Sequence, residues 1–497
     1  MKRFNFTLYI NNFIKTLLVL FLLSLFFPIR HVFLTKEAYL TGVYSDFTSF
    51  SLYLSDILIF TTWFLLLLPR GKDFYHVVKK LKWLILAVLL IFIAHFGLNI
   101  RLNAYLLIKW LELIVAYGTF ALLFRQNGLK TLFLKLFAWL CGLESLIALV
   151  QFARQSSIGL YKIGESHLAP NLLGVAKIVS GGTTFIRGYG TFPHPNPLSA
   201  FIVAGVLITI YLLTLSTNKK QTTLYSILLF LNILGLTVTF SRGAYLALAA
   251  GLIIFFGLFF LVIARRSASD DKAIFSNYKI ASSARQSPGL LAMTPIVVLL
   301  ISIAVSFFLF KPFLLTRATF SDQSTVARKF YDVAGIKMAE KNPIFGVGLG
   351  ESSLQMEKYL PATNFFRQSS DILNKPKPSE SQQTTNSNQK LEAGEGKPLA
   401  AWDKQPPHNY FIIVAAEMGI PAMLILLWIF LFHLYKLFKQ RLTAYNLLLI
   451  TVLVTFLLLM QFDHCFYTLQ QTQLLLWIFL ALALSAIQSP SPRNGEG

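Results

Sequence analysis

Long apolar stretches dominate the chain, and polar residues gather in the gaps between them. A helix that spans a bilayer needs roughly 20 mostly apolar residues. The pattern predicts nine such helices before a long polar interval, near residues 13–34, 47–69, 82–100, 104–125, 130–152, 196–216, 222–240, 243–264 and 290–311. Three more are predicted after it, near 409–436, 443–463 and 468–487, giving about twelve by that length rule. Residues 153–195 form a shorter polar interval that contains several glycines. The long interval is 312–407, and its first part is not featureless. Between Ser324 and Glu340, Val326, Phe330, Val333, Ala334, Ile336 and Met338 recur at near-helical spacing, which predicts an amphipathic helix. Packing on its own loop and contact with a substrate are equally open readings of that helix. From about Arg367 to Pro407 the chain is rich in Ser, Gln, Asn, Lys and Pro, and disorder is expected. The organisation expected is therefore 1–311, nine helices; 312–407, a loop; 408–487, three helices; and 488–497, a tail. The fold class expected is all-α and polytopic.

Composition removes several classes of function. The chain is 55% hydrophobic and only 13% charged over 497 residues, where an average soluble domain is about 25% charged. A soluble enzyme of this size would need far more polar surface. The 44 Lys and Arg against 22 Asp and Glu leave a formal charge of +22. In a soluble protein that would suggest nucleic acid. Here it fits the excess of Lys and Arg in cytoplasmic loops, and no nucleic-acid partner is expected. The intervals around residues 70–82, 125–130, 219–220, 265–285 and 436–441 carry clustered Lys and Arg, and they alternate so as to share one side with both termini. That side is expected to be cytoplasmic, so 153–195 and 312–407 face outward. Lys2 and Arg3 precede the first apolar stretch, but no small-residue cleavage site follows, and an uncleaved first helix is expected. Cys141 and Cys465 lie in or beside apolar runs and read as small buried hydrophobes. No Cys/His cluster has metal-ligand spacing, and neither metal nor cofactor is expected.

Three polar residues stand out on the outward side. Arg242 interrupts an apolar run from about Leu224 to Ala264, so Ser241, Arg242 and Gly243 are expected to form a tight hairpin there. A charge so placed is costly and usually functional, although an arginine can also snorkel to lipid head groups. Arg187 lies in GGTTFIRGYGTFPHPNPLSAF, where glycines let the backbone approach a ligand. Asn196 and Pro197 are expected to start the next helix, whose N-terminus suits an anion. An ordinary loop arginine with an Asn cap is the plainer alternative. His408 lies where the polar interval meets an apolar helix, and a neutral imidazole there can accept a hydroxyl proton. A solvated histidine at a helix start is its alternative. Two guanidinium groups suit a phosphate, because Arg presents paired N–H donors and stays charged.

At these residues the chain resembles the O-antigen ligase and polymerase superfamily. The family's Arg, three residues, Leu is matched by Arg242 through Leu246, and its His-Asn, nine residues, Gly by His408, Asn409 and Gly419. Its earlier arginine, in a Gly-containing loop before an Asn-started helix, corresponds to Arg187 with Gly190 and Asn196. KNPIFGVGLGES, from Lys341 to Ser352, is similar to the turn that follows the family's amphipathic helix, here containing Arg328. Asp463 resembles the acidic residue near the outer end of the penultimate helix. Two departures are Ala422, where the family often has a second glycine, and the low-complexity tract before His408.

The resemblance implies a GT-C-like fold in a bacterial inner membrane, with both termini cytoplasmic and the active site on the outer face. It implies metal-independent, inverting transfer of a glycan from a polyprenyl-diphosphate donor to an acceptor hydroxyl. Arg187 and Arg242 would bind the diphosphate, and His408 would orient the acceptor and take its proton. Asn196, Arg328, Asn409 and Asp463 would bind or orient substrate. The acceptor stays open between a lipid-linked core, a growing polysaccharide and a protein hydroxyl. From another class, a transporter or flippase of lipid-linked or anionic solutes also fits twelve helices. Against it stand the missing internal repeat and the outer position of the three residues, since transporter sites lie near the midplane.

Overall fold

The computed structural model describes residues 6–40, 43–126, 128–267, 288–318, 323–360, 404–440 and 442–488. Among them every predicted apolar run falls on a helix. These are α1 (Phe6–Phe26), α2 (Leu54–Val78), α3 (Lys82–Ala94), α4 (Ile100–Leu123), α5 (Leu129–Arg154), α6 (Pro195–Thr214), α7 (Lys219–Val238), α8 (Arg242–Ser267) and α9 (Pro288–Ala318). After these come α10 (Gln323–Lys341), α11 (Glu351–Tyr359), α12 (Tyr410–Lys439), α13 (Ala444–Leu459), α14 (Cys465–Thr468) and α15 (Gln470–Gln488). Eight helices are long and apolar enough to cross a membrane, namely α4 to α9, α12 and α15. The apolar parts of α1 and α13, Asn12–Phe26 and Ala444–Leu459, are shorter, and α3 has 13 residues. The chain is mostly helical and polytopic.

Several boundaries differ from expectation, each for a local reason. The all-α expectation is amended by three small antiparallel sheets. Pro28 cannot continue a helix, so α1 stops at Phe26 and β1 (Arg30–Phe33) pairs with β4 (Phe50–Tyr53). Residues predicted as ends of the helices 13–34 and 47–69 thus belong to that sheet. Between them β2 (Tyr39–Leu40) pairs with β3 (Val43–Tyr44). In the 153–195 interval, β5 (Lys177–Ser180) pairs with β6 (Thr183–Ile186). The helix expected to end at residue 311 runs on to Ala318, because Phe313 packs against Phe152, Phe185 and Phe240. The expected disorder over 367–407 falls mostly outside the described residues. Its last four residues are ordered: Lys404 pairs with Glu357 at 3.1 Å and Pro407 abuts Gly335. The tail 488–497 lies outside the described residues from 489 on.

Lipid tails supply no hydrophobic drive between helices, so close packing through small residues matters. The inner helices show it. A Cβ on Gly205 would lie 2.5 Å from Cys141 Sγ, and one on Gly235 would lie 2.3 Å from Cys141's neighbour across the turn, Ser145. Both cysteines are free and buried. Helices α6 and α15 are the most enclosed, with 89% of their apolar windows buried, whereas α8 and α9 reach 28% and 22% and form the periphery. Connections alternate between two ends of the bundle. Residues 27–53, 155–194, 239–241, 404–409 and 460–469 meet at one end, called the site end below.

Candidate active site

The segment Gln461–Asp463, between α13 and α14, is where separate helix starts converge. Asn196, in the first turn of α6, donates from Nδ2 to Asp463 Oδ2 at 2.6 Å. Gly243, in the first turn of α8, leaves space that a Cβ would lose to Phe462, 2.9 Å away. Asn409, the cap of α12, donates from Nδ2 to Gln461 Oε1 at 3.0 Å. Helix N-termini carry partial positive charge, so three meeting at one loop favour an anion there.

Arg187 sits behind this loop. It is 5% exposed, yet among the described residues its hydrogen bonds go to neutral oxygens: Nε to the Thr239 carbonyl at 2.6 Å and Nη2 to Asn196 Oδ1 at 2.9 Å. The carbonyl end of α7 is a favourable place for a cation. Phe240 adopts a left-handed backbone (φ 46°) after Thr239, and this tight turn joins α7 to α8. Asn196 therefore bridges Arg187 and Asp463 through the two ends of one amide. Its expected role as a helix cap is wrong: His194 is the cap, its Nδ1 accepting from the Asn196 amide at 3.2 Å, and Pro195 is the first helical residue. The cap shift frees the Asn196 side chain for the bridge.

Arg328, on α10, completes the group. It donates from Nη1 to the Phe462 carbonyl at 3.3 Å and its Nη2 stands 3.9 Å from Asp463 Oδ2. Burial lowers the pKa of Arg187, and the neighbouring Arg317 and Arg328 charges add to that. Burial raises that of Asp463, but His464 and Arg328 outweigh it and hold the carboxyl below its ordinary range. Arg317, at the end of α9, was not singled out in the sequence. Its signal there was a lone arginine closing an apolar helix on the outward side.

His408 is buried, and among the described residues its Nδ1 has no hydrogen-bond partner. Its ring stacks on Tyr331 at 5.6 Å and meets His464 edge-on at 4.7 Å. Asp332 Oδ1 accepts from the backbone N–H of His408 at 2.7 Å and of Asn409 at 3.1 Å. Asn409 Oδ1 in turn accepts from Phe411 and Ile412, so the helix start is fully capped. Burial, then the nearby His464 and Arg328, push the His408 pKa well below its ordinary value, so the ring is neutral at pH 7. His194 is pushed down to about 3, by burial first and Arg187 second. His194, His464, Tyr331 and Asp332 were all missed by the sequence reading, because only contact in space marks them.

Arg242 is the first residue of α8. The expected hairpin of Ser241, Arg242 and Gly243 is therefore shifted: the turn is Thr239–Ser241, and Arg242 belongs to the helix. It stands three residues from the Thr239 carbonyl that holds Arg187. The amphipathic helix α10 buries Tyr331, Ala334 and Met338 against Val347, Met356 and Ala416. Val333 and Ile336, counted in its apolar face, are instead 41% and 44% exposed. The turn KNPIFGVGLGES clasps a break in α12. Val347 and Gly348 donate to the Ala416 and Glu417 carbonyls, and Ile420 donates to the Pro343 carbonyl. Glu417 is buried there, accepting from Ser352 Oγ at 2.5 Å and Tyr467 Oη at 2.7 Å.

Taken together, the cluster has several guanidinium groups, one strongly acidic carboxyl and neutral imidazoles around a loop. It can hold an anion and place a neutral base beside it. Residues 227–427 match the sequence profile of a family described as O-Antigen ligase. The match spans Arg242, Arg328, His408 and Asn409, and leaves out Arg187, Asn196 and Asp463. No curated protein matches the chain.

Proposed function

We propose, from the match of residues 227–427 to the O-Antigen ligase family, that the chain is a member of that superfamily and transfers a glycan from a polyprenyl-diphosphate donor to an acceptor hydroxyl at the outer face of a bacterial inner membrane. The twelve apolar helices then cross the bilayer with both termini cytoplasmic and the site end outward. The observation that carries the reading is Arg187: a buried cation, hydrogen-bonded among the described residues to neutral oxygens, with Arg317 and Arg328 close by. Like charges this close together are relieved by a bound anion.

In the proposed reaction Arg187 and Arg242 hold the diphosphate, with Arg328 beside them. The acceptor oxygen attacks the anomeric carbon on the face opposite the diphosphate, and the bond from carbon to diphosphate oxygen breaks. Charge grows on the leaving oxygen, where fixed guanidinium donors act as electrostatic stabilisers. The acceptor proton passes to the neutral His408 ring, whose Nδ1 has no hydrogen-bond partner among the described residues. A bound diphosphate near the ring favours its protonated form, so donor binding itself makes His408 a better base. Asn409 and Asp332 fix the backbone that carries the ring. Asp463 orients Arg328 and, through Asn196, Arg187. Attack from the opposite face inverts the anomeric centre.

Reconstitution with a polyprenyl-diphosphate oligosaccharide tests this. Arg187→Ala, Arg242→Ala and His408→Ala should each lower transfer by about 100-fold or more, while the protein still accumulates in the membrane. EDTA should leave the rate unchanged. Full transfer by all three variants would sink the assignment. Wild-type protein that carried the intact donor across vesicles without releasing polyprenyl diphosphate would be a transporter instead.

A further inference from the structure

A cavity opens at the site end, between β4, α4, α11 and α15. Its solvent space is about 80 Å³, where roughly 10–15 Å³ admits one water. Several waters therefore fit among its walls. The rings of Phe47, Tyr53, Tyr105, Trp110 and Tyr467 line it.

The charges here are arranged differently from those around Arg187. Arg30 is paired with Asp46 at 2.8 Å. The Lys109 ammonium is paired with Asp56 and, at 3.1 Å, with Glu112, and it also donates to Gln470 Oε1 at 2.8 Å. It lies 5.4 Å above the Tyr53 ring. Both cations on this wall thus have carboxylate partners, so the cavity offers little field to a phosphate. What it offers is aromatic faces beside fixed donors and acceptors. That combination suits an uncharged, polyhydroxylated ligand, whose C–H face lies on a ring while its hydroxyls take the places of the waters.

The cavity is one ring away from His408. Phe47, on its wall, meets His464 edge-on at 5.5 Å, and His464 meets His408 at 4.7 Å. Thr468, also on its wall, bonds His464 Nδ1 at 2.7 Å. We propose that this cavity seats a neutral sugar of the acceptor, so that the acceptor is a glycan and the arginine cluster and the cavity divide donor from acceptor. The proposal rests on the transfer reading above. It disfavours a protein serine or threonine as acceptor.

Membranes from a strain lacking this chain supply donor, and the probe is the acceptor fraction extracted from them and treated with protease. Purified full-length protein is added and the acceptor is varied. Phe47→Ala and Gln473→Ala should raise the acceptor KM by about tenfold, with donor KM and kcat at saturating acceptor unchanged. Phe47→Trp, which keeps a ring, should stay near wild type. Both side chains are only half-buried, so folding should survive. An unchanged acceptor KM in both alanine variants, a rise in donor KM instead, or loss of all acceptor activity after protease would overturn the proposal. Failure of the wild type to release polyprenyl diphosphate from the donor would sink the transfer reading itself. In that case quenching of Trp110 fluorescence by the protease-treated glycan, absent in Trp110→Phe, would still report on the cavity, and no quenching would overturn the cavity proposal as well.

Discussion

Arg187 and Asn196, close in sequence, form a chain of hydrogen bonds with the distant Asp463, and the imidazoles of His194, His408 and His464 surround it. All three imidazoles have folded pKa values below the ordinary histidine value, mainly through burial. The unfolded chain therefore binds more protons than the folded one once pH falls below about 6.5. The contribution of these three groups to stability is full above that pH and drops as pH falls towards the folded values, near 3 for His194. Asp463, held low, adds a loss of the same sign in more acid solution. Asp332, raised by burial, opposes it only in the carboxylate range. Thermal unfolding in detergent between pH 8 and 5 checks this, and a melting temperature that did not fall below pH 6.5 would contradict it. At this scale the sequence marked Arg187, Arg242 and His408 as unusual through polarity in apolar surroundings. It could not mark His194 or His464, which are ordinary until three loops fold against each other.

Helix α12 carries a break at Gly419, with φ +84° and ψ 164° inside an otherwise helical run. A Cβ at that position would lie 2.1 Å from the Ile344 carbonyl oxygen, so the turn before α11 can close on α12 only over a glycine. Gly419→Ala combines a left-handed backbone, costing on the order of 1–3 kcal/mol, with that clash. It should lower the melting temperature and transfer together. Gly257→Ala, with nothing within 4 Å, is the control and should leave both unchanged. A Gly419→Ala protein as stable and active as wild type would mean that the clasp is dispensable. The His-Asn, nine residues, Gly spacing was readable in sequence. The reason for its glycine was not, because the group that excludes a side chain lies some 75 positions earlier in the chain.

For the molecule as a whole, the proposed topology assigns each end of the bundle to a side of the membrane. Thr217, in the turn between α6 and α7, and Thr183, on β6, are exposed at opposite ends. The two native cysteines are buried and should not react with a thiol reagent. Thr183→Cys should therefore react with a membrane-impermeant maleimide in intact spheroplasts, and Thr217→Cys only after lysis. The reverse pattern would invert the topology and remove the outer-face site. The sequence indicated the multi-pass helical architecture because runs of apolar residues have one stable home in a bilayer, the helix. It misjudged ends where a strand pair or an aromatic cluster decided the boundary, as at Arg30–Phe33 and around Phe313.

Residue order alone thus determined the membrane environment and the position of the apolar helices, since each depends on local composition and short spacings. Tertiary structure decided which polar groups share a site. The Arg187–Asn196–Asp463 chain joins α6 to a loop more than 260 residues on, and the Lys109 cavity joins β4, α4 and α15. Buried polar groups need partners, and which partner each one finds depends on how the helices pack, not on where it stands in the sequence.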